Sequence, residues 1–179
     1  MAAVLEEVTT LDPDKEYEIV NGIPEEKEMA GARHGRVGAK LLARLSMFAE
    51  ENDLGVVYGP DTTFKVGMND RLPDISFVAI ERIPEIGDPE GHWQLSPNLA
   101  VEVVSPTDFH EKVINKVLEY LESGVAQVWL VSPEHKTITI YYSLTDVKVL
   151  GENDVLTCQE LLPGFSCRVS DLFKLPKRR

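Results

Sequence analysis

Apolar positions along this chain change period several times, and each change marks an element. Tyr17-Glu18-Ile19-Val20 alternates as a strand does and runs into Asn21-Gly22, which supplies the positive φ angles of a two-residue hairpin turn. A returning strand is therefore predicted over 23–29. From Arg33 to Glu51 the spacing lengthens to three and four, with His34, Val37, Leu41, Leu45 and Phe48 recurring on one side. That pattern predicts the first core helix, with His34 on its apolar side. Strands follow over 56–58, 62–66 and 75–79, the last with one wetter face, and Gly67-Met68-Asn69-Asp70 reads as a turn. Residues 81–98 are rich in proline and glycine and predict a surface loop with a helical turn, a potential lid.

The run Leu99-Ala100-Val101-Glu102-Val103-Val104-Ser105 is apolar up to its closing serine except for one carboxylate in its middle. A short continuous apolar run predicts a strand buried on both faces, where an ionised glutamate costs several kcal/mol unless compensated. Asp108 and Glu111 have capping-box spacing ahead of a helix over 109–123, which Gly124 terminates. On a helical wheel Phe109, Val113, Val117, Tyr120 and Leu121 form its buried stripe, Lys116 sits at the edge of that stripe and Lys112 lies further out. Further strands are expected over 127–131, 137–142, 147–150 and 155–158, with a final turn around 169–173. Strand, helix and strand around Glu102 make a crossover unit, and the hairpins elsewhere make the sheet mixed, so the class is α/β.

A chain of 179 residues that is 43% hydrophobic predicts one domain over 1–179. It holds no apolar run long enough to span a membrane and no leader pattern at its start, so a cytoplasmic protein without membrane association is expected. Cys158 and Cys167 lack a second pair or a histidine cluster and read as ordinary thiols. The formal charge of -12 excludes broad attraction to nucleic acid and confines any DNA contact to a local surface. Arg33, Arg36, Lys40 and Arg44 form the one organised basic stripe, either a solvated helix face or a track for phosphates. The acidic run from Glu6 and Glu7 to Glu28 reads as solvated surface.

Glu102 needs a counter-charge, and the chain offers two. Asp74 begins one strand and Glu102 interrupts another, so the two carboxylates would repel unless a divalent cation lay between them. Oxygen ligands of this kind suit Mg2+. Lys116 can instead, or in addition, lean onto Glu102 as an ion pair. A cation held beside a lysine in this way can promote phosphodiester hydrolysis. Taken singly, each residue has a plainer role: Asp74 as a turn residue, His34 as a histidine at the core edge, Glu18 as a surface carboxylate.

The ordered set Tyr17-Glu18-Ile19-Val20-Asn21-Gly22, the His34 helix, Pro73-Asp74-Ile75-Ser76-Phe77-Val78, Glu102-Val103-Val104-Ser105-Pro106, Lys116 to Tyr120 with Gly124-Val125, and Val128-Trp129-Leu130-Val131 resembles the Uma-two family. These are described as restriction endonucleases of the PD-(D/E)XK superfamily, and the resemblance spans about residues 15–145. It implies a restriction endonuclease-like mixed sheet flanked by helices. It also implies that Asp74 and Glu102 are metal ligands for Mg2+ or Mn2+ and that Lys116 is the catalytic lysine. The superfamily pattern places lysine two residues after the acidic ligand, where this chain has Val104, so the lysine comes from the following helix and Lys112 is its competitor. Glu18, His34, Lys112 and Tyr120 are carried as further site-lining candidates. The expectation is a Mg2+-dependent DNA endonuclease, acting as a homodimer so that both strands are cut. The alternatives are a nuclease-fold domain that binds nucleic acid or a partner without cutting, and a structural Glu102–Lys116 ion pair in an unrelated protein.

Overall fold

The structure is a computed structural model and describes residues 11–27, 31–105 and 109–175. In chain order it holds β1 (Tyr17–Val20), β2 (Ile23–Glu26), α1 (Ala32–Glu51), β3 (Gly55–Tyr58), β4 (Phe64–Val66), β5 (Asn69–Arg71) and β6 (Ile75–Ala79). A single 3-10 turn (Ile80–Arg82) follows, then β7 (Leu99–Val103), α2 (His110–Glu122), β8 (Gln127–Ser132), β9 (Thr137–Tyr141) and β10 (Val147–Leu150). The described chain ends with β11 (Val155–Cys158), β12 (Leu162–Arg168) and α3 (Val169–Phe173).

Six strands form the central sheet in the order β10-β9-β8-β7-β6-β3, and a second sheet has the order β2-β1-β5-β4. Strands β7 and β8 run parallel with Val101 beside Trp129, while the other pairs of the central sheet are antiparallel. The predicted crossover unit and mixed sheet are thus present.

The two faces of the central sheet are covered differently. Val37, Leu41, Leu45 and Ala49 of α1 pack on Ile75, Phe77, Leu99, Val101, Val103 and Trp129, and β12 and α3 complete that layer. Opposite, Val117 and Tyr120 of α2 pack with Phe64, Val66, Trp93, Val78, Ala100 and Val128. Since strand side chains alternate, Glu102 follows Ala100 onto the α2 face.

Several expectations are corrected by this packing. Every residue of β6 is buried, with no wetter face, because α2 and the β4 region cover the side opposite α1. Asn69–Arg71 is a strand and not part of a turn; the turn is Gly67-Met68 alone, with Val66 opposite Asn69. Residues 81–92 form the expected surface loop with a helical turn, Ile86 being 93% exposed, but the far end of the segment is packed down, since Trp93 is buried and stacked on Phe64. Asn98 Oδ1 in the same segment accepts bonds from the Ala79 amide and Arg82. Phe109 is 74% exposed and stands before α2, so the buried stripe narrows to Val117 and Tyr120. The segment 162–168 is a strand that the sequence pattern did not signal.

Other expectations hold. Asn21 and Gly22 have φ of 52° and 79°, as the predicted turn requires. Cys158 and Cys167 are buried free thiols. No helix among the described residues is long and apolar enough to cross a membrane. The Asp108 cap, the strand end at Met29, and Glu6, Glu7 and Glu28 lie outside the described residues.

Candidate functional site

Asp74 and Glu102 meet at one end of the central sheet. Strands β6 and β7 are antiparallel with Ile75 opposite Val101, so extending that ladder by one residue sets Asp74 opposite Glu102. Directly opposed residues present their side chains to the same face. The Val103 amide donates to Asp74 Oδ2 at 2.8 Å and closes the ladder through the side chain.

Each carboxylate has its own partners. His34 Nε2 lies 3.2 Å from Asp74 Oδ2 and Lys27 Nζ lies 3.6 Å from Oδ1. The Lys27 ammonium also donates to the Leu72 and Pro60 carbonyls, which fixes it at the mouth of β6. Burial alone would raise the Asp74 pKa, but the bond from His34, the Lys27 charge and the Val103 amide outweigh it and hold the carboxyl below its ordinary value. On the other strand, Glu102 Oε1 accepts from the Tyr120 hydroxyl at 2.7 Å and from Lys116 Nζ at 3.3 Å. Here burial prevails: the Glu102 pKa is raised, with Asp74 and Glu18 adding to the rise and Lys116 and Tyr120 opposing it.

Lys116 sits between two carboxylates, since its Nζ is also 2.9 Å from Glu18 Oε1. Burial opposes its charge, but Glu102 and Glu18 more than restore it, and its pKa is raised. Glu18 is itself buried on β1, where Oε1 takes the Leu72 amide at 3.0 Å and Oε2 takes Arg71 Nη1 at 2.9 Å. Arg71 turns its other nitrogens to Glu119 Oε2, with Nε at 2.8 Å and Nη2 at 2.6 Å, and Asn69 Nδ2 donates to the same oxygen at 2.9 Å.

Of the residues singled out from sequence, Asp74, Glu102, Lys116, Glu18, His34 and Tyr120 therefore converge. Lys112 does not: its side chain is 72% exposed and pairs with Glu25 at 3.4 Å. Sequence reasoning missed Lys27, Arg71, Glu119 and Asn69. Glu119 was legible, because Lys116, Glu119 and Tyr120 at i, i+3 and i+4 share one helical face. Arg71 carried no local signal, since it reaches Glu18 only because β5 pairs with β1, with Ile19 opposite Asp70.

A cavity of about 260 Å³ adjoins the site and is lined by Gly31, Arg33, His34, Val104, Ser105, Pro133 and Glu134. His34 therefore faces Asp74 and the cavity together. The rest of the basic stripe is committed elsewhere. Arg36 donates to the Phe173 and Lys174 carbonyls, Lys40 to the Asp171 carbonyl and Arg44 to the Lys40 carbonyl, while Arg33 pairs with Glu134. Arg36 and Lys40 thereby fasten the end of α3 to α1.

No group of three or more His, Cys, Asp or Glu side chains converges as a metal site among the described residues. The two carboxylates that the fold opposes at this sheet end are Asp74 and Glu102. Two hard oxygen donors fit Mg2+, which commonly takes one or two protein carboxylates and keeps several waters, and fit Zn2+ poorly.

Comparisons with known proteins bear on the family and the fold. The family model described as "Uma2: Putative restriction endonuclease" matches residues 5–170. A crystal structure described as "a putative nuclease belonging to DUF820", from Anabaena variabilis ATCC 29413, superposes with a TM-score of 0.83 at 20% identity. The match covers 95% of this chain and 96% of that one, and at such identity the likeness is one of fold. No curated protein matches this chain.

Proposed function

The chain belongs to the Uma2 family, described as "Putative restriction endonuclease", and from that premise we propose that it is a Mg2+-dependent DNA endonuclease. The observation that carries the reading is the opposed pair Asp74 and Glu102 on one sheet face, with the Lys116 ammonium on Glu102. Asp74 and Glu102 would hold the cation. When bound, it supplies Lewis acidity to a phosphoryl oxygen and eases loss of a proton from water. Lys116, kept charged by two carboxylates, orients the attacking water and stabilises charge growing on the phosphate. In hydrolysis the water oxygen bonds to phosphorus, one ester P–O bond breaks, and the leaving oxygen takes up a proton. Tyr120 fixes the Glu102 rotamer through its 2.7 Å bond. His34 faces both Asp74 and the cavity, where a phosphate would enter.

The test is cleavage of supercoiled plasmid with Mg2+ or Mn2+. Wild-type protein should nick it, while Asp74→Asn, Glu102→Gln and Lys116→Met should each lower the rate about 100-fold or more with the fold retained. A Glu102→Gln variant as active as wild type would sink the mechanism.

A second reading is a nuclease-fold domain that binds nucleic acid or a partner without cutting. The observation in its favour is that both carboxylates are already engaged, Asp74 by Lys27 and His34 and Glu102 by Lys116. Wild-type protein that binds DNA but leaves plasmid intact with either cation would establish it.

A further inference from the structure

The Lys116 ammonium is nearer to Glu18 than to Glu102, at 2.9 Å against 3.3 Å. Glu18 also has the better anchorage. Its two oxygens take three donors, Lys116, the Leu72 amide and Arg71, and Arg71 is braced in turn by Glu119. Glu102 instead gives its Oε1 to both Tyr120 and Lys116. The charged and titratable groups around Lys116 are thus Glu18 from β1, Arg71 from β5, Glu102 from β7 and Tyr120 from its own helix, with Asp74 beyond Glu102.

A divalent cation and an ammonium compete for the same carboxylate. If Glu102 were the sole partner of Lys116, a cation arriving on Glu102 would repel the ammonium and displace it. We propose that Glu18, fixed by Arg71 and the Leu72 amide, is a positioning residue that holds Lys116 beside Glu102 while Glu102 engages a cation. The inference rests on the nuclease reading, since it presupposes a cation at Asp74 and Glu102. Glu18 does not touch the reacting atoms in this scheme. It acts through Lys116, and Arg71 acts through Glu18.

The consequence is a coupling that plain electrostatic attraction does not produce. With Glu18 neutralised, Lys116 has only Glu102 and contests it with the cation; with Lys116 removed there is no contest and Glu18 becomes irrelevant. The experiment is a double-mutant cycle of Glu18→Gln and Lys116→Met, read by calorimetric titration with Mn2+ and by plasmid cleavage. Gln keeps one acceptor oxygen, enough for the Leu72 amide or for Arg71 but not for both, so thermal melts verify that all four proteins are folded at the titration temperature. Glu18→Gln should weaken Mn2+ binding about fivefold or more when Lys116 is present and less than about twofold in the Lys116→Met background. In cleavage it should lower kcat with KM for DNA unchanged, and should do nothing further in the Lys116→Met protein. Equal weakening of Mn2+ binding in both backgrounds would mean that Glu18 acts only as a distant charge, and would overturn the positioning role while leaving the nuclease reading intact. Wild-type protein that takes up no Mn2+ would overturn both. If Mn2+ binds with the predicted coupling but plasmid is not cut, the positioning role stands and the reading of the reaction fails.

Discussion

Glu18 shows how a single carboxyl can be bound into the fold and into the site at once. Burial pushes its pKa up, but Lys116, the Leu72 amide and Arg71 together bring it below the ordinary value of 4.5. A carboxyl whose folded-state pKa is lowered gives stability that is fully present above the unfolded value and is lost as pH falls through the folded one. The melting temperatures of wild type and Glu18→Gln should therefore differ most near neutral pH and converge as the solution is acidified below the ordinary carboxylate range. A gap that stays constant over that range would show that Glu18 contributes by shape and not by charge. Glu102 has the opposite balance, its pKa being raised by burial and by two anionic neighbours. A glutamate interrupting an apolar strand was legible from the pattern alone, because no other position in Leu99–Val103 is polar. Its partners were only half legible. Lys116 and Tyr120 follow from helical spacing, whereas Arg71 and Lys27 arrive through strand pairing and loop closure that no local period records.

Among the elements, α1 illustrates how a pattern can be read correctly and its purpose missed. Its apolar stripe of Val37, Leu41 and Leu45 lies in the core as predicted, and His34, half-buried at the edge of that stripe, is set against Asp74. Two members of its basic stripe carry a structural task that neither a solvated face nor a phosphate track anticipates. Arg36 and Lys40 satisfy backbone carbonyls at the end of α3, groups that a helix C-terminus leaves without partners. The double variant Arg36→Ala, Lys40→Ala should accordingly lose about 1–2 kcal/mol of stability in urea unfolding. Its affinity for DNA should stay within about twofold of wild type, since phosphate contacts would show up there instead. The strands that escaped notice have a shared physical cause. Asn69–Arg71 has no apolar residue, and Leu162–Arg168 contains Pro163 and Gly164, so in both cases strand character comes from a paired neighbour and not from the segment itself.

At the scale of the whole molecule, the net charge of -12 must be reconciled with the polyanionic substrate proposed above. The basic groups nearest the candidate site are Lys27, His34, Lys116 and Arg71, and each already faces a carboxylate. Few lysines and arginines are therefore left to displace counterions from DNA. Attraction must come from the cation that Asp74 and Glu102 would hold, so binding should be weak in EDTA and strengthen with Ca2+, which supports binding without requiring cleavage. Because each neutralised phosphate contributes about -0.9 to the slope of log K against log salt, a contact with two or three phosphates predicts a slope of about -2 to -3. Cutting both strands with one site per chain further predicts that two copies assemble on a duplex. Fluorescence anisotropy of a labelled duplex, titrated at several salt concentrations with Ca2+ or EDTA, measures the slope, and light scattering of the same mixtures gives the number of chains. A slope steeper than about -6, unaffected by EDTA, would place the contact on a basic surface away from Asp74 and Glu102 and would separate DNA binding from this site.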